Sequence, residues 1–378
     1  MSQKYNFDDA YLDEPLLSSE TKNKTVTRSK KYTILFIILV LVFFLQLSLF
    51  KKSYQNKYPI LEETSNSFGV DNIDECLYEY MESVSDKNPE NINQLTPTNI
   101  GMIAALGDSI SAGAQSMTND TTHPEYSFIT GTEPIHKHIS INSLFKFVHR
   151  NDSKLKNYNL AQPGATSRDL MRQAKRLESL AKNDGPMWKL VFIFIGINDV
   201  GNLGLGSQPP IEPEEYSRNL ENSVKYIAEN IPKTIVMLIG LPKPQLFLEA
   251  RSLWSARKRA RSKSAQESVD LLVKSYQKAL NELQTKYNSD KISVVVQPFM
   301  TEYDTMFTDA EGKFNKLFYS DDIFHPSKLG HSIMAKHLWN NIFEPVGKKT
   351  TKANLGDVSR TIRCLGEDNS LIRTVNNS

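Results

Sequence analysis

The sequence predicts an α/β domain in three layers, a parallel sheet of about five strands covered by helices on both faces, preceded by one transmembrane helix. Three observations predict it. Continuous apolar runs rich in β-branched and aromatic residues read as strands buried on both faces. Stretches of helical character alternate with those runs, the pattern of strand–helix–strand crossovers. Residues 33–50 (TILFIILVLVFFLQLSLF) carry no charge over 18 positions, which at about 1.5 Å per helical residue cover roughly 27 Å, just enough for a bilayer core.

Residues 1–31 are polar, lack apolar periodicity and read as a flexible cytoplasmic tail. Within it, Asp13-Glu-Pro-Leu16-Leu17 has the spacing of an acidic dileucine signal, and a chance leucine pair reads equally well. Residues 32–50 form the expected signal anchor. A buried soluble helix would rarely lack charge for so long. A cleaved leader would need small residues after the apolar run, where Lys51 and Lys52 stand. Lys22, Lys24, Arg28, Lys30 and Lys31 precede the run, against Lys51, Lys52 and Lys57 after it. This bias places the N-terminus inside and the rest of the chain luminal or extracellular, a single-pass type II arrangement. Asn119-Asp-Thr121 and Asn151-Asp-Ser153 then become candidate glycosylation sites, while Asn23-Lys-Thr25 falls on the wrong side.

Residues 51–95 read as a polar stalk with a short helical piece near Cys76, and residues 96–378 as one domain. Strands are expected at 100–106 (IGMIAAL), 158–161, 189–195 (KLVFIFI), 234–241 (TIVMLIGL) and 292–299 (ISVVVQPF). Helices are expected near 137–150, 166–182, 213–230, 262–288 and 327–343. The densest basic cluster, 251–263, reads as a solvated loop or helix start, as a surface for anionic headgroups, or as a processing site. The formal net charge of +2 gives no reason to expect nucleic-acid binding, and 39% hydrophobic residues suit an ample core. Two cysteines exclude a disulfide scaffold. Cys76 and Cys364 flank the domain from opposite ends. In an extracytoplasmic setting they could close a very long loop, or they could be two free thiols.

Three short blocks carry chemistry: Gly107-Asp108-Ser109, Gly196-Ile197-Asn198-Asp199 and Asp322-Ile323-Phe324-His325. The first two follow predicted strands, where sites of open α/β sheets form. Ser109 reads alone as a helix cap and, beside the other blocks, as a nucleophile. His325 precedes Pro326, so it belongs to a loop. Asp322, three residues earlier, can accept from one ring nitrogen while the other faces Ser109; on sequence alone Asp321 could serve instead. No partner at ligand spacing makes His325 a metal site. Asn198 reads alone as a turn former and, in this company, as an oxyanion donor. Gly164, after the short strand at 158–161, and Ser109 could add backbone N–H groups.

These blocks resemble those of the GDSL or SGNH hydrolases, whose Ser, Gly, Asn and His match Ser109, Gly164, Asn198 and His325. Asp322 matches the Asp of that family's Asp-x-x-His. Residues 103–113 (IAALGDSISAG), 188–199 (WKLVFIFIGIND), 322–347 and the tail around Cys364 resemble the phospholipase B group, a similarity spanning roughly residues 95–378. Ile197 stands where that group commonly has a second glycine, and residues 242–265 are basic where its repeats carry cysteines. One domain and an N-terminal anchor replace the group's several repeats and C-terminal anchor. The resemblance implies an SGNH, flavodoxin-like fold and a serine ester hydrolase needing no metal or organic cofactor. Its substrates would be fatty acyl esters of phospholipids or lysophospholipids. A carbohydrate O-acetyl or other ester is the alternative substrate, and a catalytically silent lipid- or partner-binding domain the alternative of another class.

Overall fold

Five parallel strands lie side by side in the order β2-β1-β3-β4-β5. The computed structural model describes residues 88–378, apart from 118–120, 151–153, 202–207, 244–262, 303–306, 309–310, 313 and 367–368, together with a few positions nearer the N-terminus. The strands are β1 (Ile100–Gly107), β2 (Lys156–Asn159), β3 (Trp188–Phe194), β4 (Thr234–Ile239) and β5 (Ile292–Gln297). The helices are α1 (Ser109–Ala112), α2 (Ile141–Val148), α3 (Leu170–Asp184), α4 (Pro213–Asn230), α5 (Lys263–Lys286) and α6 (Lys328–Ile342).

The strand order assigns the helices to faces. The chain steps from β1 to β2 in one direction, and in every later crossover it moves the other way. Right-handed crossovers therefore put α2 on one face and α3, α4 and α5 on the other. Packing agrees: α3 lies against α4, α4 against α5, and α2 against α6. The parallel three-layer α/β architecture predicted from the alternating pattern is what the structure shows.

Every residue of β3, β4 and β5 is buried, as expected of strands covered on both faces. β2 differs. It is one of the two edge strands, pairs only with β1 (Ala104 opposite Tyr158), and its KNYN sequence is partly exposed, whereas β5 at the other edge is buried throughout. A partly exposed strand needs no continuous apolar run, so the run from 158 to 161 marked its end and missed its start. β5 stops at Gln297 because Pro298 cannot donate to a ladder. α2 begins four residues later than predicted, where Ser140 caps it and accepts from Ser143 N–H at 2.9 Å.

The chain divides into two compact units, Met1–Thr64 and Ser65–Ser378. In the first, the described positions Val40, Val42, Leu45 and Gln46 are helical. The rest of the expected anchor at 32–50 lies outside the described residues, among which no helix is long and apolar enough to cross a membrane. Also outside them lie Asn119, Asn151, the dileucine and most of the basic cluster. In the second unit, Ile73, Cys76 and Tyr80 are helical and fully buried, so the unit reaches upstream of residue 96 into the segment expected as a stalk. Cys76 and Cys364 form a disulfide with Cα atoms 4.6 Å apart, across 288 residues of sequence. The C-terminal tail is bound to the residues ahead of β1: Ile372 N–H donates to Leu95 O at 2.8 Å, and Asn377 Nδ2 to Asn93 O at 2.8 Å.

Candidate active site

Three neighbouring strands deliver three loops to one end of the sheet. The loop after β1 carries Ser109, that after β2 carries Gly164, and that after β3 carries Asn198. Because β1 lies between β2 and β3, Ser109 is flanked by the other two loops.

The turn at Ser109 rests on Gly107, whose φ is +145° and where a Cβ would stand 2.1 Å from Phe194 O. Gln173 of α3 braces this residue from both sides. Its Oε1 accepts from Gly107 N–H at 2.7 Å and its Nε2 donates to Gly107 O at 2.9 Å. Asp108 then caps α1, its Oδ1 accepting from Ile110 N–H at 3.0 Å. Ser109 follows as the first helical residue, 9% exposed.

His325 reaches Ser109 from the loop ahead of α6. Its Nε2 stands 2.9 Å from Ser109 Oγ, and its Nδ1 stands 2.6 Å from Asp322 Oδ2. The loop holds the aspartate with more than this contact. Asp322 Oδ1 accepts from Ser320 Oγ at 2.7 Å and from the N–H groups of Phe324 and His325, both at 2.9 Å. The tight turn forces Ile323 to a φ of +51°, strained for a β-branched residue. Burial pushes the Asp322 carboxyl up, but the hydrogen bond and charge of His325, with Ser320 and the backbone N–H of His325, outweigh it and hold it at about 2. Asp322 is therefore ionised at neutral pH. Asp321, the other aspartate allowed by the sequence, is exposed.

Asn198 Nδ2 donates to Ala165 O at 2.9 Å, which ties the loop after β3 to the one carrying Gly164 and leaves the second amide hydrogen unspent. Gly164 has a φ of +78° and open space where a Cβ would be. Among the described residues, no hydrogen bond engages the backbone N–H groups of Ser109 and Gly164. Three candidate donors thus come from three loops at the end of the sheet that carries Ser109.

Sequence reasoning missed what lies beneath. Asp108 and Asp199 are both buried, Asp108 completely. Asp199 accepts from Ser167 N–H at 2.9 and 3.1 Å. Burial pushes Asp199 up to about 6, against the pull of Ser167. Asp108 is pushed to about 7, first by burial and then by the charge of Asp199, against the pull of Ile110 N–H and other local backbone N–H groups. The signal was available: each aspartate adjoins a candidate residue, Ser109 or Asn198, at the end of a fully apolar run. Among the described residues, no group of three or more His, Cys, Asp or Glu could hold a metal ion.

Residues 103–338 match the family described as GDSL-like Lipase/Acylhydrolase. Over 367 residues the chain is 28% identical to phospholipase B1, membrane-associated, of Rattus norvegicus, covering 87% of this chain and 25% of the relative. Against the Homo sapiens protein of that name it is 27% identical over 326 residues, 78% of this chain and 22% of the relative. The chain thus spans about a quarter of the length of these relatives. Among solved structures, Axe2, an acetylxylan esterase from Geobacillus stearothermophilus, is 18% identical with a TM-score of 0.36, covering 65% of this chain and 93% of its own.

Proposed function

The chain belongs to the GDSL-like lipase/acylhydrolase family of carboxylic ester hydrolases, and from that premise we propose that it is a membrane-tethered serine hydrolase releasing fatty acids from phospholipids or lysophospholipids. The observation that carries the chemistry is His325 held between Asp322 and Ser109 by contacts of 2.6 and 2.9 Å. Ser109 Oγ attacks the ester carbonyl as His325 Nε2 takes its proton. Asp322 keeps the Nδ1 proton in place and offsets the charge of the imidazolium. The tetrahedral oxyanion is received by the N–H groups of Ser109 and Gly164 and the Asn198 side chain. His325 then protonates the leaving alkoxide, and water repeats the sequence in reverse to free the acid.

Lipid as substrate rests on the likeness to the phospholipase B1 relatives. The tether rests on the uncharged run at 33–50 and on its helical, exposed side chains Val42 and Leu45. In a type II topology the tether would keep the active site beside a lipid surface on the luminal or extracellular side. The test is fatty-acid release from lysophosphatidylcholine by the full-length protein in detergent, beside Ser109→Ala. Release by the wild type alone supports the reading. Labelling of Ser109 by a phosphonate probe, with release of acetate from acetylated sugars but none from lipid, would move the substrate to carbohydrate esters. No labelling and no release would leave a silent binding domain.

A further inference from the structure

We propose that Asp108 carries a proton when the enzyme is active, and that this uncharged carboxyl is a positioning residue for Ser109 whose ionisation switches the site off on the alkaline side. The inference rests on the reading of Ser109 as nucleophile and deepens it.

The geometry of Asp108 is not that of a stable carboxylate. An ionised carboxylate has about four acceptor sites and, when buried, needs several donors or a cation. Asp108 is fully buried, its Oδ1 accepts from Ile110 N–H, and its Oδ2 is buried with no hydrogen-bond partner among the described residues. The hydroxyl of Ser111, one turn further along α1, is also buried and unpartnered. A neutral carboxyl carries no charge for so sparse a set of donors to stabilise.

Among the described residues, the groups acting on Asp108 from other elements supply no positive charge to hold it ionised. From the loop after β3 comes Asp199, a second buried carboxylate. From α4 comes Tyr216, whose hydroxyl donates to Ile195 O at 3.0 Å. Tyr276 of α5 stacks on Tyr216 with ring centroids 4.0 Å apart, and its hydroxyl donates to Asp199 O at 3.2 Å. Arg168, the cation that acts on Asp199, is exposed and paired with Glu215 at 2.5 Å. On the far side of Ser109 stand His325 and Asp322.

The charge of Asp199 acts on Asp108, so the two buried carboxyls titrate together, and the proton goes to the one with an oxygen left without a donor. Asp199 has the Ser167 N–H against both its oxygens and the Ser167 hydroxyl beside it, so it holds the negative charge. Asp108, whose Oδ1 accepts from Ile110 N–H while its Oδ2 has no hydrogen-bond partner among the described residues, holds the proton. Losing that proton would place a negative charge one residue from the Ser109 N–H, where the reaction builds its oxyanion. The oxyanion would then be repelled rather than received.

The test compares pH profiles of kcat/KM on a soluble short-chain ester for full-length wild type and Asp108→Asn, which keeps the shape and the neutrality. Wild-type activity should fall about tenfold per pH unit above neutrality, as loss of one proton to an inactive form requires. Asp108→Asn should stay active and level through the same range. A shared alkaline limb, or a folded Asp108→Asn inactive at every pH, overturns the proposal. Should the variant not fold, carbon-13 NMR of the aspartate carboxyls in the wild type decides. An Asp108 carboxyl still protonated at pH 6 supports the inference, and one ionised by pH 5 overturns it. The NMR titration reads this proton even if Ser109→Ala shows that Ser109 is not the nucleophile.

Discussion

His325 Nδ1 lies 2.6 Å from Asp322 Oδ2, while the other oxygen of that carboxyl accepts the backbone N–H of His325 itself at 2.9 Å. The aspartate grips both ends of one residue. It sets the position of the backbone and the orientation of the ring together, which a carboxylate from a distant element could not do as economically.

Asp322→Asn should therefore lose more than a charge. An amide in place of Oδ2 can present N–H to the ring and favour the wrong tautomer. On the precedent of such triads, kcat should fall by on the order of 10⁴ with KM little changed. Steady-state kinetics on a soluble ester check this, with circular dichroism confirming the fold.

The low pKa of Asp322 also has a sign for stability. It is about 2 in the folded chain, against about 3.9 unfolded. A depressed carboxyl contributes stability that is fully present above the unfolded value and is lost as pH falls through the folded one. Urea midpoints of wild type should drop between about pH 4 and pH 2 by more than those of Asp322→Asn.

Asn198→Ala should cost about 100- to 1,000-fold in kcat, equivalent to about 3–4 kcal/mol of transition-state stabilisation. Because Asn198 Nδ2 also holds Ala165 O at 2.9 Å, the variant should additionally loosen the loop of Gly164. Gly164→Ala separates the two effects. Its Cβ would meet nothing, so its cost comes from the φ of +78° alone, about 1–2 kcal/mol of stability. Thermal unfolding and kcat measured on both variants test the division.

Three histidines make the fold sensitive to mild acid. Burial lowers His138 to about 3, His337 to about 4 and His331 well below its usual value. The unfolded chain takes up protons below about pH 6.5, while these folded imidazoles do not, so stability is full above that value and declines as pH falls. His331 is the sharpest case, since neither ring nitrogen has a hydrogen-bond partner among the described residues and its ring lies 5.9 Å from that of Phe128. His331→Leu should leave stability at pH 8 unchanged or raised by about 1 kcal/mol, and should flatten its fall between pH 6.5 and 5. Denaturation midpoints across that range decide; a less stable variant at both ends would disprove it.

Reducing the Cys76–Cys364 bond should lower stability by about 2–5 kcal/mol, because it frees a loop closed across 288 residues. The loss should appear as a lower unfolding midpoint in dithiothreitol, and Cys76→Ser with Cys364→Ser should reproduce it without reductant.

Much of this was legible in one dimension, and the physical reason separates it from the rest. Strands β1, β3, β4 and β5 are buried on both faces, so their sequences are predominantly apolar, with only a few polar residues such as Lys189 and Gln297, and could be read directly. Ser109, Asn198 and His325 stood out because turns and a following proline place them in loops beside those runs. Strand β2 escaped, because its exposed and half-exposed positions carry polar residues, whereas the other edge strand, β5, is buried. Chain order alone also left open which aspartate of Asp321 and Asp322 meets the histidine; the turn through Ile323, with φ at +51°, decided it. That Cys76 meets Cys364, that Gln173 clamps Gly107, and that the charge of buried Asp199 acts on buried Asp108 are consequences of tertiary packing. Local propensity determines elements and loops, but contacts between residues tens to hundreds of positions apart exist only once helices close over both faces of the sheet.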